Sequence, residues 1–320
     1  MITYIDRSIF DEDWDYLIIL DACRYDYFKK IYRLFFEGEL RQFFSPGSCT
    51  AEWFRHTFTS KYPDVVYISA NPYINSFMIV GGCDAGRRFY KVLDVWLSGW
   101  DYDLGTVPPR TVNTILNEVS NYYSDKRVIV HYLQPHAPYL SPKYFISGFP
   151  EPSLREGKVL MGIARRPVER SSIEKIEKML KMIEFISNKL RLGNGLYLNL
   201  RWSLGLQPIS PLDATLRVYG VNGLRRAYFE NLLIVVETLT YVLDGLDGKV
   251  AITSDHGEFL GERNSFSHPC GSKDTILRSV PYLEVKRVLR PSRPRFSLYP
   301  LKLKLKLAKR KLEHAKSYSE

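Results

Sequence analysis

Five short apolar segments, each followed by polar residues, constrain the fold of this 320-residue chain more than any other feature. They cover Tyr16–Leu20 and residues 65–69, 127–133, 249–253 and 280–285. Nearly continuous apolar strands that alternate with helical segments are typical of a central parallel sheet with helices on both faces. We therefore predict an α/β protein, a three-layer α/β/α sandwich built on a mainly parallel central sheet.

Two segments have the apolar spacing of a helix. The first spans residues 171–192, where Ser171 and Glu174 form a capping box and Gly193 is a stop signal. Its apolar positions are Ile173, Ile176, Met179, Leu180, Ile183 and Ile186. The second spans residues 224–243 and leads through a glycine-containing loop into the apolar segment at 249. A helix, a short loop and a strand form half of a β-α-β unit, which favours the parallel sheet.

The chain is predicted to divide into a domain of residues 1–290 and a basic tail of residues 291–320. Residues 140–226 contain one clear helix and otherwise loop-like composition, and we interpret them as an insertion over the sheet edge. From Lys286 onward there are twelve basic and two acidic residues, so this end carries the whole net charge of +10. Leucine and lysine alternate over residues 301–307, which predicts a strand that becomes helix-compatible beyond it.

The tail has two interpretations. A basic amphipathic end is suited to docking on an anionic membrane surface or on nucleic acid, and we favour the membrane. The alternative is a solvated tail, or an edge strand whose lysines prevent aggregation. We interpret the 22 tyrosines and 17 phenylalanines as core packing rather than as a platform for stacked bases, so nucleic acid is not an expected partner.

The expected location is the cytoplasm. Four cysteines, at positions 23, 49, 83 and 270, are too few and too scattered for a disulfide framework and form no Cys-x-x-Cys pair. No apolar run approaches the roughly 20 residues that span a bilayer. The first residues lack the basic start and the apolar stretch of a secretion signal. These features predict a soluble, reduced, cytoplasmic protein, peripheral to the membrane where the tail docks.

Potential metal ligands follow three of the apolar segments. Asp21 follows the first, His136 follows the third, Asp255 and His256 follow the fourth, and His268 lies twelve residues after His256. Because ligand sites in open α/β sheets form at the carboxyl ends of the strands, these side chains are expected to meet. Carboxylate and imidazole together suit zinc or manganese. The less favoured alternative is that they are core or surface residues without a joint role.

Four motifs, in chain order, resemble those of the alkaline phosphatase superfamily, in its sulfatase-like and phosphodiesterase-like branch. They are Asp21-Ala-Cys-Arg24-Tyr-Asp26, Gln134-Pro-His136-Ala-Pro-Tyr139, Ser254-Asp-His-Gly-Glu258 and Arg278-Ser-Val-Pro-Tyr-Leu283. The resemblance covers residues 16–285 without the insertion. It implies an alkaline phosphatase-like sandwich, one or two divalent ions, and hydrolysis or transfer at an ester.

The resemblance also implies a nucleophile in the first helix after the opening strand. Thr50 takes the position of the threonine nucleophile of the phosphotransfer members. Sulfatases instead carry Cys/Ser-x-Pro-x-Arg there and oxidise its first residue to formylglycine, and Cys49 does not stand in that pattern. A Cys49 thiol as the nucleophile is the minor alternative, because a free cysteine is more often a small buried hydrophobe.

The implied roles are chemically consistent. A threonine hydroxyl is a poor nucleophile at neutral pH, and a bound dication favours its alkoxide. The candidate ligands of this first ion are Asp21, Thr50, Asp255 and His256. A second ion, which activates the hydrolytic water, has His136 and His268 as its candidate ligands.

Two residues are candidates for substrate binding. Asn71 is of the type found in the family at this position. Arg24 either contacts the substrate or forms an internal ion pair with Asp26 that shapes the loop, and the ion pair is favoured.

Three departures from the family pattern qualify the resemblance. Ala22 replaces the second carboxylate of the opening pair, which is a calcium ligand in sulfatases. Gln134 replaces the aspartate beside His136, so the second site is expected to be weaker, to recruit His131 or to be empty. Glu52 stands where a proline usually follows the nucleophile, so the local backbone is expected to differ.

The leading function is therefore a metal-dependent hydrolase or transferase for phosphate esters, using Zn²⁺ or Mn²⁺. Its expected substrates are small-molecule, glycan or lipid phosphate esters, by phosphodiester or phosphonate cleavage or by transfer of a phosphate-linked head group. One alternative is a sulfatase-like sulfuric ester hydrolase. Another is a non-catalytic binding or assembly module that docks through the basic tail, which Ala22 and Gln134 keep open.

Overall fold

The computed structural model describes residues 9–155, 158–161, 170–190 and 192–316. Its strands are β1 (Tyr16–Leu20), β2 (Phe36–Phe44), β3 (Tyr62–Ser69), β4 (Phe89–Asp94), β5 (Arg127–Tyr132), β6 (Pro152–Arg155), β7 (Lys158–Met161), β8 (Val250–Thr253), β9 (Phe259–Leu260), β10 (Phe266–Ser267) and β11 (Ser279–Val288). Its helices are α1 (Tyr25–Phe28), α2 (Thr50–Thr57), α3 (Ala85–Arg88), α4 (Val95–Ser98), α5 (Pro109–Tyr122), α6 (Arg170–Lys189), α7 (Gly195–Ser203), α8 (Pro211–Leu243), α9 (Thr275–Arg278) and α10 (Tyr299–Lys316).

A seven-stranded sheet lies at the centre of the fold, in the order β2-β11-β8-β1-β5-β3-β4. The strands from β8 to β4 in that order run parallel to one another. Only the β11 pairings, with β8 and with β2, are antiparallel within this sheet of the described chain. The predicted three-layer α/β/α sandwich with a mainly parallel sheet is confirmed.

The segment at 280–285 forms part of β11, but its predicted parallel direction is wrong. The Gly257 amide donates to the Leu277 carbonyl at 2.7 Å, so residues 254–278 turn back at the edge where β8 ends. A parallel neighbour requires a crossover that returns the chain to the other end of the sheet. Without that crossover, β11 starts at the carboxyl end of β8 and runs antiparallel to it.

Strand β1 shows why the central strands are apolar throughout. Ile18 and Leu20 pack on the face covered by helices α5 and α8, whereas Leu17 and Ile19 pack on the opposite face. The opposite face is covered by an aromatic group that includes Trp53 of α2. Since side chains alternate between the faces of a strand, a strand buried on both faces favours apolar side chains at nearly every position.

The segment between β5 and β8 contains a separate small core. Leu180 of α6, Tyr197 of α7 and Leu212 and Tyr228 of α8 are buried in it. The helix predicted at 171–192 is α6, which ends at Lys189, and Gly193, with a φ of 74°, lies four residues beyond that end. The helix predicted at 224–243 is the second part of α8, which begins earlier and breaks at Gly220. The insertion at 140–226 and the domain limit at 290 stay predictions.

The strand predicted at 301–307 is wrong, because these residues lie in helix α10. Leucine and lysine are both strong helix formers, and the segment contains no β-branched residue. Leu303 is buried against Leu104, Leu140 and Ile234, and Lys304 pairs with Asp101 at 2.8 Å. Packing against the domain therefore selects the helix over the alternating pattern. Within the described part of the chain, no helix combines the length and apolar character that a membrane crossing needs.

Candidate active site

The candidate site residues lie at the carboxyl ends of the central parallel strands. Asp21 directly follows β1, Asn71 follows β3, His136 follows β5, and Asp255 and His256 follow β8. Thr50 is the first residue of α2. The parallel register of β8, β1 and β5 brings these ends to one edge of the sheet.

The first cluster contains all four residues predicted for the first ion. Thr50 Oγ1 donates to Asp255 Oδ2 at 2.7 Å and lies 3.3 Å from His256 Nε2. His256 Nε2 lies 3.2 Å from Asp255 Oδ2 and 3.7 Å from Asp21 Oδ1. The nucleophile candidate and two carboxylates thus surround one imidazole.

His131 belongs to this first cluster. Its Nε2 lies 3.9 Å from Asp21 Oδ2 and 3.8 Å from Asp255 Oδ2, while its Nδ1 is 2.9 Å from the Tyr67 hydroxyl oxygen. Donor atoms of Asp21, His131 and Asp255 all lie within 4.8 Å of one another. Of the three alternatives given for the second site, the recruitment of His131 is therefore not the one that the structure favours. As a polar residue inside the apolar strand β5, it was the signal in the sequence.

A second cluster lies beside the first and contains Glu258. His136 Nε2 and His268 Nε2 are 3.1 Å apart, and Glu258 supplies a third donor atom within 4.8 Å. The rings of His256 and His268 lie 4.3 Å apart between centroids, so the two clusters adjoin. Glu258 ends the motif Ser254-Asp-His-Gly-Glu258, from which no ligand role was predicted for it.

Gln134 does not take part in the second cluster. Its amide donates to Thr106 Oγ1 at 3.2 Å and to the Val107 carbonyl at 3.3 Å. The carboxylate that was expected beside His136 is therefore supplied by Glu258, from a different strand end.

The loop after β1 is fixed by its backbone. Ala22 has a φ of 59°, and its amide donates to Asp255 Oδ1 at 3.1 Å. The Tyr228 hydroxyl donates to the Ala22 carbonyl at 2.8 Å, and the Cys23 amide donates to Ser254 Oγ at 2.8 Å. The backbone of Ala22 thus helps to orient the Asp255 carboxylate, although Ala22 has no carboxylate of its own.

Burial dominates the electrostatics of both clusters. It raises the pKa of Asp21 well above its ordinary value, and the nearby Asp255 carboxylate adds to the rise. Burial likewise raises the pKa of Glu258. It lowers the pKa of His131 and of His136 to about 4, so both imidazoles are neutral at neutral pH. A neutral imidazole has the free lone pair that a metal ligand needs.

The donor atoms fit a divalent cation. Among the described residues, Asp21 Oδ1, His131 Nε2 and both carboxylate oxygens of Glu258 are buried without a hydrogen-bond partner. Buried carboxylates that lack partners are costly, and a bound cation compensates them. The mixture of carboxylate and imidazole donors is the one expected for zinc or manganese.

The two substrate-binding candidates differ in what their side chains contact. The Asn71 side-chain amide donates to Asp21 Oδ2 at 2.8 Å and lies 3.4 Å from Thr50 Oγ1, so it faces the first cluster. Arg24 forms the favoured ion pair with Asp26, at 2.8 Å, and a second with Glu262, also at 2.8 Å. The Arg24 guanidinium is thereby occupied by protein acids.

A disulfide joins Cys49 to Cys270, which corrects the expectation of reduced cysteines. It bonds Cys49, the residue before Thr50, to Cys270, which lies two residues after His268. A sulfur held in this bond is available neither as a thiol nucleophile nor for conversion to formylglycine. The sequence spacing of 221 residues hid the pair, because the fold alone brings the two loops together.

Several solved structures are similar to this chain. The soluble domain of lipooligosaccharide phosphoethanolamine transferase A from Neisseria meningitidis aligns over 85% of this chain and 76% of its own, with 12% identity and a TM-score of 0.41. The zinc complex of the periplasmic domain of EcEptC from Escherichia coli aligns over 85% and 72%, with 11% identity and a TM-score of 0.43. The lipoteichoic acid synthase LtaP from Listeria monocytogenes aligns over 88% and 66%, with 12% identity and a TM-score of 0.36.

These likenesses concern the fold alone. No family model and no curated protein matches the chain.

The expected cytoplasmic location is wrong. The Cys49–Cys270 disulfide contradicts it, because such bonds persist in oxidising compartments and are rare in the cytosol.

Proposed function

We propose that this chain is a metal-dependent enzyme that transfers a phosphate-linked group through a covalent intermediate on Thr50. The position of the Thr50 hydroxyl carries the proposal. It lies 2.7 Å from Asp255 Oδ2 and 3.3 Å from His256 Nε2, inside a cluster of acids and imidazoles. Hydrolysis, with water as the acceptor, and transfer to an alcohol are two outcomes of the same chemistry.

The residues that would hold the first ion are Asp21, Thr50, Asp255 and His256, with His131 beside them. A divalent cation bound there favours the alkoxide form of the threonine and stabilises negative charge on the transferring group. His136, Glu258 and His268 would hold a second ion. We propose Zn²⁺ or Mn²⁺ for these sites.

The reaction has two displacements at phosphorus. In the first, Thr50 Oγ1, which is positioned by its hydrogen bond to Asp255 Oδ2, forms a bond to phosphorus and gives up its hydroxyl proton to solvent. The bond to the leaving oxygen breaks, and that oxygen takes up a proton from solvent, so the leaving group departs as an alcohol. In the second, the oxygen of water or an alcohol attacks the same phosphorus and gives up its proton. The bond to Thr50 then breaks and the threonine oxygen regains a proton. Asn71, 3.4 Å from Thr50 Oγ1, is placed to donate to an oxygen of the transferring group.

Phosphate esters are favoured over sulfate esters. The Cys49 sulfur is held in a disulfide, so the formylglycine of sulfatases has no precursor at this position. The non-catalytic alternative also loses support, because Glu258 supplies the carboxylate that Gln134 lacks. The reacting group that remains is the Thr50 hydroxyl.

We infer that the substrates are phosphate esters carried on lipids or glycans outside the cytoplasm. A cleft of about 220 Å³ opens beside His268, and Glu184, Asn194, Phe259 and Phe266 line it. Its aromatic rings suit an apolar or sugar moiety, and its polar side chains suit a head group. The disulfide favours an oxidising compartment.

Helix α10 is suited to holding the domain on an anionic membrane. Leu303 packs inward, while Leu301, Leu305 and Leu312 are 50%, 64% and 66% exposed on the opposite side of the helix. Their spacing of four and seven residues places them in one stripe. Lys302 and Lys309 border one side of this stripe, and Lys304 and Lys311, which pair with Asp101 and Asp103, border the other. An apolar stripe bordered by lysines is the pattern of a helix lying in a lipid interface.

The catalytic proposal is tested by turnover of aryl phosphodiester, phosphomonoester, phosphonate and sulfate esters with added Zn²⁺ or Mn²⁺. We expect Thr50→Ala to lower kcat by about 10⁴-fold or more, the scale on which loss of a nucleophile acts. Thr50→Ser keeps a hydroxyl and should retain part of the rate. A mass increase of the denatured wild-type protein at Thr50 after brief reaction would identify the intermediate. Metal-dependent turnover that survives in Thr50→Ala would refute the assignment.

Membrane docking is tested by sedimentation with phosphatidylglycerol-containing vesicles and with phosphatidylcholine vesicles. Replacement of Leu301, Leu305 and Leu312 by serine removes three apolar side chains, and we expect about 100-fold weaker binding to anionic vesicles. Leu34→Ser is the matched control, since Leu34 is 64% exposed elsewhere on the surface. Equal binding by the triple variant and the control would exclude the α10 stripe as the docking surface.

A further inference from the structure

The loop that carries His268 is covalently attached to the start of helix α2. Cys270, two residues after His268, is bonded to Cys49, which immediately precedes Thr50. The disulfide therefore links the candidate nucleophile to a ligand of the second cluster, although the two cysteines are 221 residues apart.

Hydrogen bonds reinforce this attachment. Ser48 Oγ lies 2.9 Å from the Pro269 carbonyl and accepts from the Ser272 amide at 3.0 Å. Glu52 Oε2 accepts from the Gly271 amide at 3.1 Å and from the Ser48 amide at 2.8 Å. Glu52 thus binds both the loop and the residues that precede α2.

The His268 ring lacks the orienting contact that its neighbours have. His136 Nδ1 is 2.7 Å from the Ala137 carbonyl, and His256 Nδ1 is 2.9 Å from the Gly257 carbonyl. Metal-ligating histidines usually use their second nitrogen in this way, which fixes the ring. His268 Nδ1 is buried and has no hydrogen-bond partner among the described residues. The position of its ring therefore depends on the backbone of the loop.

We propose that Cys49, Cys270 and Glu52 form a clamp that positions His268 for the second ion, so that the affinity for this ion depends on the intact disulfide. The inference rests on the proposed function, because it assumes the second ion. It assigns a role to Glu52, which stands in place of the proline of the family pattern. These three are positioning residues, since they act on the site through His268.

The test is a titration of the metal-free protein with Co²⁺, followed by its visible absorption, and with Zn²⁺ in competition with a chelating dye. We expect Cys49→Ser combined with Cys270→Ser to bind the second ion about 10- to 100-fold more weakly, as loss of the groups that orient a ligand typically does. The first ion should bind as in the wild type. Glu52→Gln keeps the disulfide and should weaken the second ion by a smaller factor.

Two controls separate positioning from general damage. Cys83→Ala removes a buried free cysteine outside the clamp and should bind both ions as the wild type does. Treatment of the wild type with a phosphine supplies two electrons, converts the disulfide to two thiols and oxidises the phosphine. It should reproduce the double variant, and reoxidation should restore the second ion. Circular dichroism establishes that each protein is folded.

Each outcome decides between the two proposals. Unchanged affinity for the second ion in the folded double variant overturns the clamp and leaves the proposed function intact. A wild type that binds one ion overturns the clamp but is compatible with transfer at the first cluster. A wild type that binds no ion overturns both.

Discussion

Substitution of Glu258 by glutamine should change stability in opposite directions with and without metal. Glu258 is fully buried, and neither of its carboxylate oxygens has a hydrogen-bond partner within the described part of the chain. Burial raises its pKa well above the ordinary value of 4.5. In the metal-free protein the carboxyl must hold a proton or pay for an unpaired buried charge. Glutamine has nearly the same shape and no charge, and it cannot replace a carboxylate as an anionic ligand.

The sign in the metal-free protein follows from the raised pKa. Because folding raises the pKa of Glu258, the folded wild type loses stability relative to the unfolded chain as the pH rises from about 4.5 through the higher folded pKa. The loss has a slope of at most about 1.4 kcal/mol per pH unit. Glu258→Gln lacks this loss. In EDTA, the variant should therefore gain in melting temperature relative to the wild type between pH 5 and pH 8.

The sign with metal is the reverse. An ion at 100 times its Kd stabilises the folded state by about 2.7 kcal/mol. The entropy of unfolding of a 320-residue chain is about 0.7 kcal/mol per kelvin, so occupation of the second cluster should raise the Tm by about 4 °C. Glu258→Gln should lose this increment and keep the one from the first cluster.

The assay is thermal unfolding by circular dichroism at pH 5, 6, 7 and 8, in EDTA and in excess Zn²⁺. Glu118→Gln, an exposed substitution of the same kind on α5, is the control and should show neither effect. If Zn²⁺ stabilised Glu258→Gln as much as the wild type, Glu258 would not be a ligand. If the difference in EDTA did not grow with pH, the carboxyl would not be the unpaired group that the geometry indicates.

Three further predictions concern residues around the first cluster. Asn71→Ala should lower kcat by about 100-fold with little change in Tm, because it removes a donor aimed at the transferring group; steady-state kinetics with the best aryl ester measures it. Arg24→Lys breaks the two-pronged pair with Asp26 (2.8 and 2.9 Å) and should cost about 2 kcal/mol, or about 3 °C in Tm, with KM unchanged. A raised KM at unchanged Tm would instead make Arg24 a substrate ligand. Gly47→Ala places a Cβ 2.2 Å from the Trp53 amide nitrogen, so it should displace the start of α2, destabilise by about 1–3 kcal/mol and lower turnover; unfolding and kinetics together check it.

The central strands could be predicted from the sequence because burial on both faces leaves an unambiguous signal. The segment Tyr16–Leu20 coincides with β1, and the segment at 127–133 coincides with β5 to within one residue. The outer strand β2 has a mixed pattern. Its Arg41 pairs with Glu39 and with Glu284 of β11, and its Glu37 pairs with Arg287 of β11. A strand whose side chains are only partly buried lacks a continuous apolar run, so it cannot be recognised by that signal.

The candidate site could be predicted where its residues directly follow strands. Asp21, Asp255 and His256 follow β1 and β8, so the sheet itself brings them together. The place of Glu258 depends on how the chain bends after β8, and the Cys49–Cys270 pair depends on how two loops meet. Neither has a local pattern, because tertiary contacts alone determine both.

The same distinction explains where this site needs additional attachment. Asp21, His131 and Asp255 lie in or immediately after strands, and the backbone hydrogen bonds of the sheet fix their positions. His268 lies fifteen residues beyond the end of β8, in a loop whose exposed Cys270 and Gly271 have no sheet to hold them. Ordering such a loop costs conformational entropy that the sheet does not offset. A crosslink to the start of α2 restricts the loop. It also fixes the position of His268 relative to Thr50, with which the second cluster must stay aligned. A site that depends on the distance between Thr50 and His268 requires a crosslink close to both residues. The disulfide meets this requirement, because Cys49 adjoins Thr50 and Cys270 lies two residues after His268.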